Sequence, residues 1–459
     1  MKLNPTFSKL AILAVVTLLL CLVLAEIGGL VRERQLRQRE AAQGIEQSMA
    51  GAQVVGAPIL LRDCRERWTV TQADKRETVE TRDFQLMATA SRFKARGGIA
   101  PEARHRGLFK VNTYLATLDL EASWASLGAL EPVAEHAGGR LSCSDPQVIF
   151  PVSDPRGIRT AELRRGAQPI ALLPGAAQAR WRGPQATLNG LNTAEPLALG
   201  LKLQLVGSQR LGVVPAADDN QVALQSSWPH PSFTGQFLPV ERSTGVSGFS
   251  ARWQVSSLAS TAAADMRAGR RLPQLSTPDA LPQPYAEAPA PKADTLDVMA
   301  VELVDPVNPY VMSDRAIKYG LMFIALTFVT VGLTELLTGR RVHPVQYLFV
   351  GLALSLFFLL LLSLSEHLPF LVAYLIAAGA AAAVLTPYAA AMLGGWRRGA
   401  AFGGGIALLY GALYVLLSRE QTALVIGAVL LFTVLAAVMT LTRKLDWYGL
   451  GAASQTQGA

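Results

Sequence analysis

Charge is what the last third of this 459-residue chain lacks. Asp, Glu, Lys and Arg make up 17% of the residues, where a soluble domain carries about a quarter. Nearly all of them fall between residues 31 and 318, and few follow. Cysteine is scarce too: Cys21, Cys64 and Cys143 are the only three. They form no CxxC, and no Cys/His spacing suits zinc, which excludes zinc-finger and thioredoxin-like chemistry. HExxH, GxxxxGK[ST], GxSxG and GxGxxG are all missing, so the common zinc-protease, P-loop, hydrolase and dinucleotide-binding signatures are absent. The net charge of +8 is not gathered into Lys/Arg clusters interleaved with aromatics, so no nucleic-acid partner is expected. We read it as headgroup and topology charge.

What is present is a set of long apolar runs. Residues 344–365 carry no charge. As a helix rising about 1.5 Å per residue they reach roughly 33 Å, enough for a hydrocarbon core about 30 Å thick. Six such runs predict six spans, at 10–30, 319–338, 345–365, 368–393 (with Pro387 expected to kink it), 399–417 and 421–442. Residues 1–9 and 443–459 remain as flanking tails. Val23-Leu24-Ala25 would pass as a signal-peptidase site, but the apolar run continues through Ile27 to Val31, which favours an uncleaved anchor. Lipid is therefore the first expected partner.

Short loops orient such a bundle through Lys and Arg. With the N-terminus cytoplasmic, the cytoplasmic segments hold eight (Lys2, Lys9, Arg340, Arg341, Arg397, Arg398, Arg443, Lys444), and the short outer loops hold only Arg419. Arg32, Arg34, Arg37 and Arg39 run against this count, yet long domains translocate largely regardless of charge. Both termini are thus expected in the cytoplasm and residues 31–317 outside it, in the periplasm of a Gram-negative cell. In that compartment Cys64 and Cys143 either form a disulfide or stay unpaired.

The 31–317 segment reads as mainly β and sandwich-like, inserted between spans one and two. "FQLMATASRF", "GLFKVNTYLATLDLEASW", "ALGLKLQLVGS" and "QVALQSSW" alternate apolar and polar residues, separated by turn signals such as "SDPRG", "LPGAA", "GSQR" and "PAADDN". Residues 31–50 continue the first span as helix. The Pro/Ala-rich stretch 270–295 reads as an exposed loop. "DVMAVELVDPVNPY" then resumes the strand pattern, so the chain returns to the sheet before the second span. Whether the segment is one large sandwich or two smaller ones is left open.

"RAIKYGLMFIALTFVTVGLTEL", "RRVHPVQYLFVGLALSLFFLLLLSLSEH", "WRRG", "LLYGALYVLL" and "LTRKLDWY", together with "RGLFKV", "VSDPRGIR" and "WPHPSFTGQFLP", resemble the CreD family of inner-membrane proteins from about residue 104 to 448. The resemblance implies a protein of cell-envelope integrity, tied to a two-component response to envelope and β-lactam stress, whose over-production confers colicin tolerance. It carries over no catalytic residues and no cofactor.

Six residues are candidates for function. Glu335 lies inside the second span, where a carboxylate is costly; Arg340, Arg341 and His343 are its expected partners, in an interface-level ion pair tying the second and third spans. His343 on one side and Glu366 with His367 on the other bracket the third span, and we read them as membrane-edge residues rather than one site. Trp228 and His230, in "SSWPHPSF", suit either a recognition loop or a rigid connection with Trp228 in the core; the second is favoured. Gly399 and Gly403, spaced GxxxG, predict close helix packing. A non-enzymatic scaffold whose outer domain binds an envelope component or protein partner fits best. A transporter or channel for a lipid or small solute is the alternative, and a membrane-embedded enzyme on lipid or cell-wall precursors ranks last.

Overall fold

The computed structural model describes residues 5–71, 77–173, 180–273, 296–305, 308–338, 342–419 and 423–443. The chain divides into two compact units, Met1–Arg37 with Val307–Ala459, and Gln38–Pro306.

The first unit is helical. Helix α1 (Pro5–Ser48) supplies its first part here, and α2 (Ala262–Arg267) belongs to the other unit. Then come α3 (Pro309–Thr338), α4 (Pro344–Ser365), α5 (Phe370–Leu393), α6 (Trp396–Ser418) and α7 (Ala423–Thr442). Among the described residues five helices, α1 and α3 to α6, are long and apolar enough to cross a membrane. The sixth predicted run forms α7, whose apolar stretch Val425–Thr440 is shorter. Helix α3 starts at Pro309 rather than at the predicted Tyr319. Its entry is capped: Asn308 Oδ1 accepts the Tyr310 N–H at 3.0 Å, Pro309 suits a first helical position, and Lys318 pairs with Asp314 one turn back at 2.8 Å. Pro387 lies inside α5 and does not end it; Gly394, with φ 71°, does.

Small residues set the packing of this unit. A Cβ on Gly399 would lie 2.4 Å from Ala390 Cβ, and one on Gly403 2.1 Å from Thr386 Oγ1, so α6 packs directly on α5 as the GxxxG spacing predicts. Gly351 of α4 likewise admits Leu20 of α1, whose Cδ1 would stand 2.1 Å from an added Cβ.

The second unit is mainly β, with three sheets. The largest runs β15 (Glu241–Gly245), β16 (Gly248–Ser256), β13 (Asp219–Ser226), β4 (Arg92–Arg106), β5 (Phe109–Trp124), β11 (Leu197–Ser208), β8 (Ile158–Arg165), β9 (Gln168–Ile170). A second runs β10 (Gln185–Thr187), β7 (Gln147–Ile149), β2 (Ile59–Thr71), β3 (Glu77–Thr89), with β6 (Arg140–Cys143) also paired to β2. The third runs β1 (Gln53–Gly56), β12 (Arg210–Val214), β17 (Met299–Leu303), β14 (Pro231–Gly235). Pairing is antiparallel except for β1 with β12 and β4 with β13. The alternation read from the sequence is the alternation of burial: in β5, Leu118, Leu120, Ala122 and Trp124 are buried while Thr117, Asp119 and Glu121 are exposed.

Residues of all three sheets contribute to one continuous core, including Val54, Leu60, Phe93, Trp124 and Trp253. The segment is therefore one unit rather than two sandwiches. β17 brings the chain back into the sheet that β1 begins, with β12 between them. The turn at "GSQR" places Gln209 at φ 57°. Most of "LPGAA" and of the 270–295 loop lies outside the described residues.

Candidate functional site

Three clusters hold the charged and polar groups that warrant attention. The first surrounds Glu335 on α3. Its Oε1 is ion-paired with Lys9 Nζ of α1, and its Oε2 accepts the Tyr347 hydroxyl of α4 at 3.1 Å. Lys9 also sits 5.8 Å from the centroid of the Tyr347 ring. Glu335 therefore ties three helices, not two. The expected partner His343 is engaged elsewhere, and Arg340 and Arg341 lie outside the described residues. Lys9 escapes sequence reasoning because it stands 326 residues away.

His343 caps α4. Its Nδ1 accepts the Val345 N–H at 3.3 Å, and its own N–H donates to Gln346 Oε1 at 3.0 Å, a reciprocal box that satisfies helix-end donors. At the other end of the same helix, Glu366 forms the second cluster: Arg34 Nε lies 3.3 Å from its Oε1, and the Tyr310 hydroxyl donates to that oxygen at 3.4 Å. His367 is exposed beside it. The whole 22-residue helix separates His343 from Glu366, so the bracketing histidines and glutamate make no common site. Arg34, which ran against the orientation count, has this local partner.

Trp228 is half-buried against the β core, its Nε1 donating to the carbonyls of Val304 (2.9 Å) and His230 (3.2 Å). These bonds pin the loop, but Trp228 lies at the edge of the core rather than within it as favoured from the sequence, and the His230 side chain is exposed. Arg156 is likewise local, bound to Asp154 and to the Gln47 carbonyl.

The third cluster lies in the β unit and includes none of the six candidate residues named from the sequence. Glu66, on β2, has no exposed surface. Its Oε1 accepts the N–H groups of Glu135 (3.0 Å) and His136 (2.9 Å), and its Oε2 lies 3.3 Å from His136 Nδ1 and 3.7 Å from Arg82. The His136 backbone N–H is the main cause that holds this carboxyl below the ordinary glutamate range, against the opposing effect of burial. The His136 ring stacks on Trp68 at 3.7 Å. Gly139 is required beside it, since a Cβ there would lie 2.4 Å from Glu66 Oε1. Next along, Cys64 of β2 faces Cys143 of β6 and forms a disulfide with it. Together these contacts clamp residues 131–143 onto β2. The signal was legible in "CRERW": Glu66 shares the inward parity of Cys64 and Trp68, an unusual place for an acid.

Among the described residues no three His, Cys, Asp or Glu gather as a metal site. The family model described as "Inner membrane protein CreD" matches residues 5–448. The curated protein of that name from Escherichia coli (strain K12) is 31% identical over 449 residues, covering 97% of this chain and 94% of that protein.

Proposed function

The chain belongs to the CreD family of inner-membrane proteins, and from that premise we propose that it is a six-span, non-enzymatic envelope-integrity protein whose β unit faces the periplasm and binds an envelope component or protein partner. The observation that carries the orientation is the Cys64–Cys143 disulfide in the β unit, a bond that persists in oxidising compartments and is rare in the cytosol. The eight-to-one bias of Lys and Arg across the short loops supports the same side. Helix α7, at 20 residues, is the sixth crossing and returns the chain to the side on which it began.

The non-enzymatic reading draws on the state of the carboxylates. Glu335 and Glu366 are each engaged by a cation and a tyrosine hydroxyl, and such satisfied pairs hold helices together. Fusions truncated near residue 200 test the orientation. Alkaline phosphatase is expected to be active there and a cytosolic fluorescent reporter dark; the opposite pair of results overturns it. In-cell cross-linking from the β unit is expected to trap a discrete envelope partner, and labelling no stronger than background argues against the binding role.

A further inference from the structure

The β unit carries a cleft of about 1180 Å³ over β2, β3 and β6 that none of the contacts above explains. Outward parity on β2 sends Asp63, Arg65 and Arg67 to this face. Two of them are matched: Asp63 accepts from Gln85 Nε2 at 2.7 Å, and Arg65 grips Asp83 with two bonds of 2.5 and 3.0 Å. Arg67 is different. Its register partner on β6 is Arg140, and both line the cleft. Among the described residues neither forms an ion pair.

Directly opposed residues on antiparallel strands have Cβ atoms about 5 Å apart, and like charges there are destabilising. Guanidinium cannot shed its proton to relieve this. Nor can β6 move off, because both sides of Arg140 are fastened: Cys143 is bonded to Cys64, and the preceding Gly139 is seated against Glu66. The architecture therefore sets two facing cations on an open cleft, and Asp83, a lining acid whose charge reaches Arg67, is already gripped by Arg65. Two guanidinium forks match the charge and the several oxygens of a phosphate dianion, whereas a single carboxylate is satisfied by one fork. We propose that this cleft binds a phosphate group, bridged by Arg67 and Arg140, with Val79 offering apolar wall to whatever the phosphate is esterified to. The proposal rests on the β unit being a binding domain and names the chemistry it recognises.

The test uses the full-length protein in nanodiscs, titrated calorimetrically at constant chloride with inorganic phosphate and with glycerol 3-phosphate. Saturable binding of at least one is expected. Arg67→Gln and Arg140→Gln should each weaken it tenfold or more, while Arg252→Gln, which breaks an exposed pair with Glu241 outside the cleft, leaves it unchanged. Preference for inorganic phosphate marks a solute site, and preference for the ester marks a headgroup-like ligand. Without ligand, Arg140→Gln should melt higher than wild type because the repulsion is gone, and added phosphate should raise the wild-type transition but not that of the variant. Absence of saturable binding at millimolar phosphate, binding untouched by both substitutions, or a lower ligand-free transition for Arg140→Gln each overturns the site. None of these results bears on the residue-200 fusions, so loss of the site and loss of the orientation are read separately.

Discussion

Replacing both Cys64 and Cys143 by alanine asks how much one bond contributes to a large β unit. The bridge joins positions 79 residues apart, and removing that cross-link frees the unfolded chain by about 4.5 kcal/mol at 25 °C in the loop-entropy relation. This is a ceiling, since the same relation ignores residual structure in the unfolded chain. An unfolding entropy of about 2.1 cal/mol/K per residue, taken over Gln38–Pro306, converts it to a fall of roughly 8 °C in the transition of that unit. Scanning fluorimetry of the full-length protein in detergent reads the shift, and reduction of the wild type by dithiothreitol should reproduce it. The loss should be concentrated where the bond acts, with hydrogen exchange rising in residues 131–143 before the rest. Two results refute the reasoning. One is a double variant melting within about 2 °C of wild type. The other is maleimide labelling of both thiols in denatured, unreduced protein.

Three further outcomes follow from the same geometry. Lys9→Met and Glu335→Gln should each destabilise the helical unit by about 2 kcal/mol, below the 3–5 typical of fully buried pairs because the lysine side chain keeps 31% exposure; the double variant should lose less than the sum, and strict additivity in a double-mutant cycle refutes the coupling. Gly403→Ala drives a Cβ onto Thr386 and should cost about 1–3 kcal/mol, while Gly404→Ala, with open space around it, should be silent in the same thermal assay. Glu66 has a depressed pKa in the folded state, so its contribution is intact above the ordinary glutamate value and is lost as pH falls through the folded value; exchange at the Glu135 and His136 amides, corrected for intrinsic rate, should accelerate only below that ordinary range, and Glu66→Gln should abolish the pH dependence.

Apolar runs and strand alternation were legible because both are local patterns. The β strands at 109–124 and 197–208 and the helices at 344–365 and 370–393 follow directly from residue type at period two or from continuous hydrophobicity. The GxxxG pair was legible for the same reason. Partners were not. Lys9 finds Glu335, and His136 finds Glu66, across 326 and 70 residues, distances over which no periodicity carries information. The pairing of Cys64 with Cys143 was open until β2 and β6 were placed side by side. The early start of α3 was missed because hydropathy alone marked the span, while the Asn-Pro cap and the Asp314–Lys318 pair that begin the helix are polar. His343 and His367 illustrate the converse: conspicuous as letters, they serve as a helix cap and an exposed neighbour.

The sheet that β12 shares with both β1 and β17 has a consequence for biogenesis. Its first strand emerges at residues 53–56, and the strand on the other side of β12 at 299–303. The sheet cannot be completed until nearly the whole unit has been synthesised, so the early strands wait with open edges. Cys64 and Cys143 are both available long before that point, and their bond can hold the first hairpins in register while the last strand is still being made.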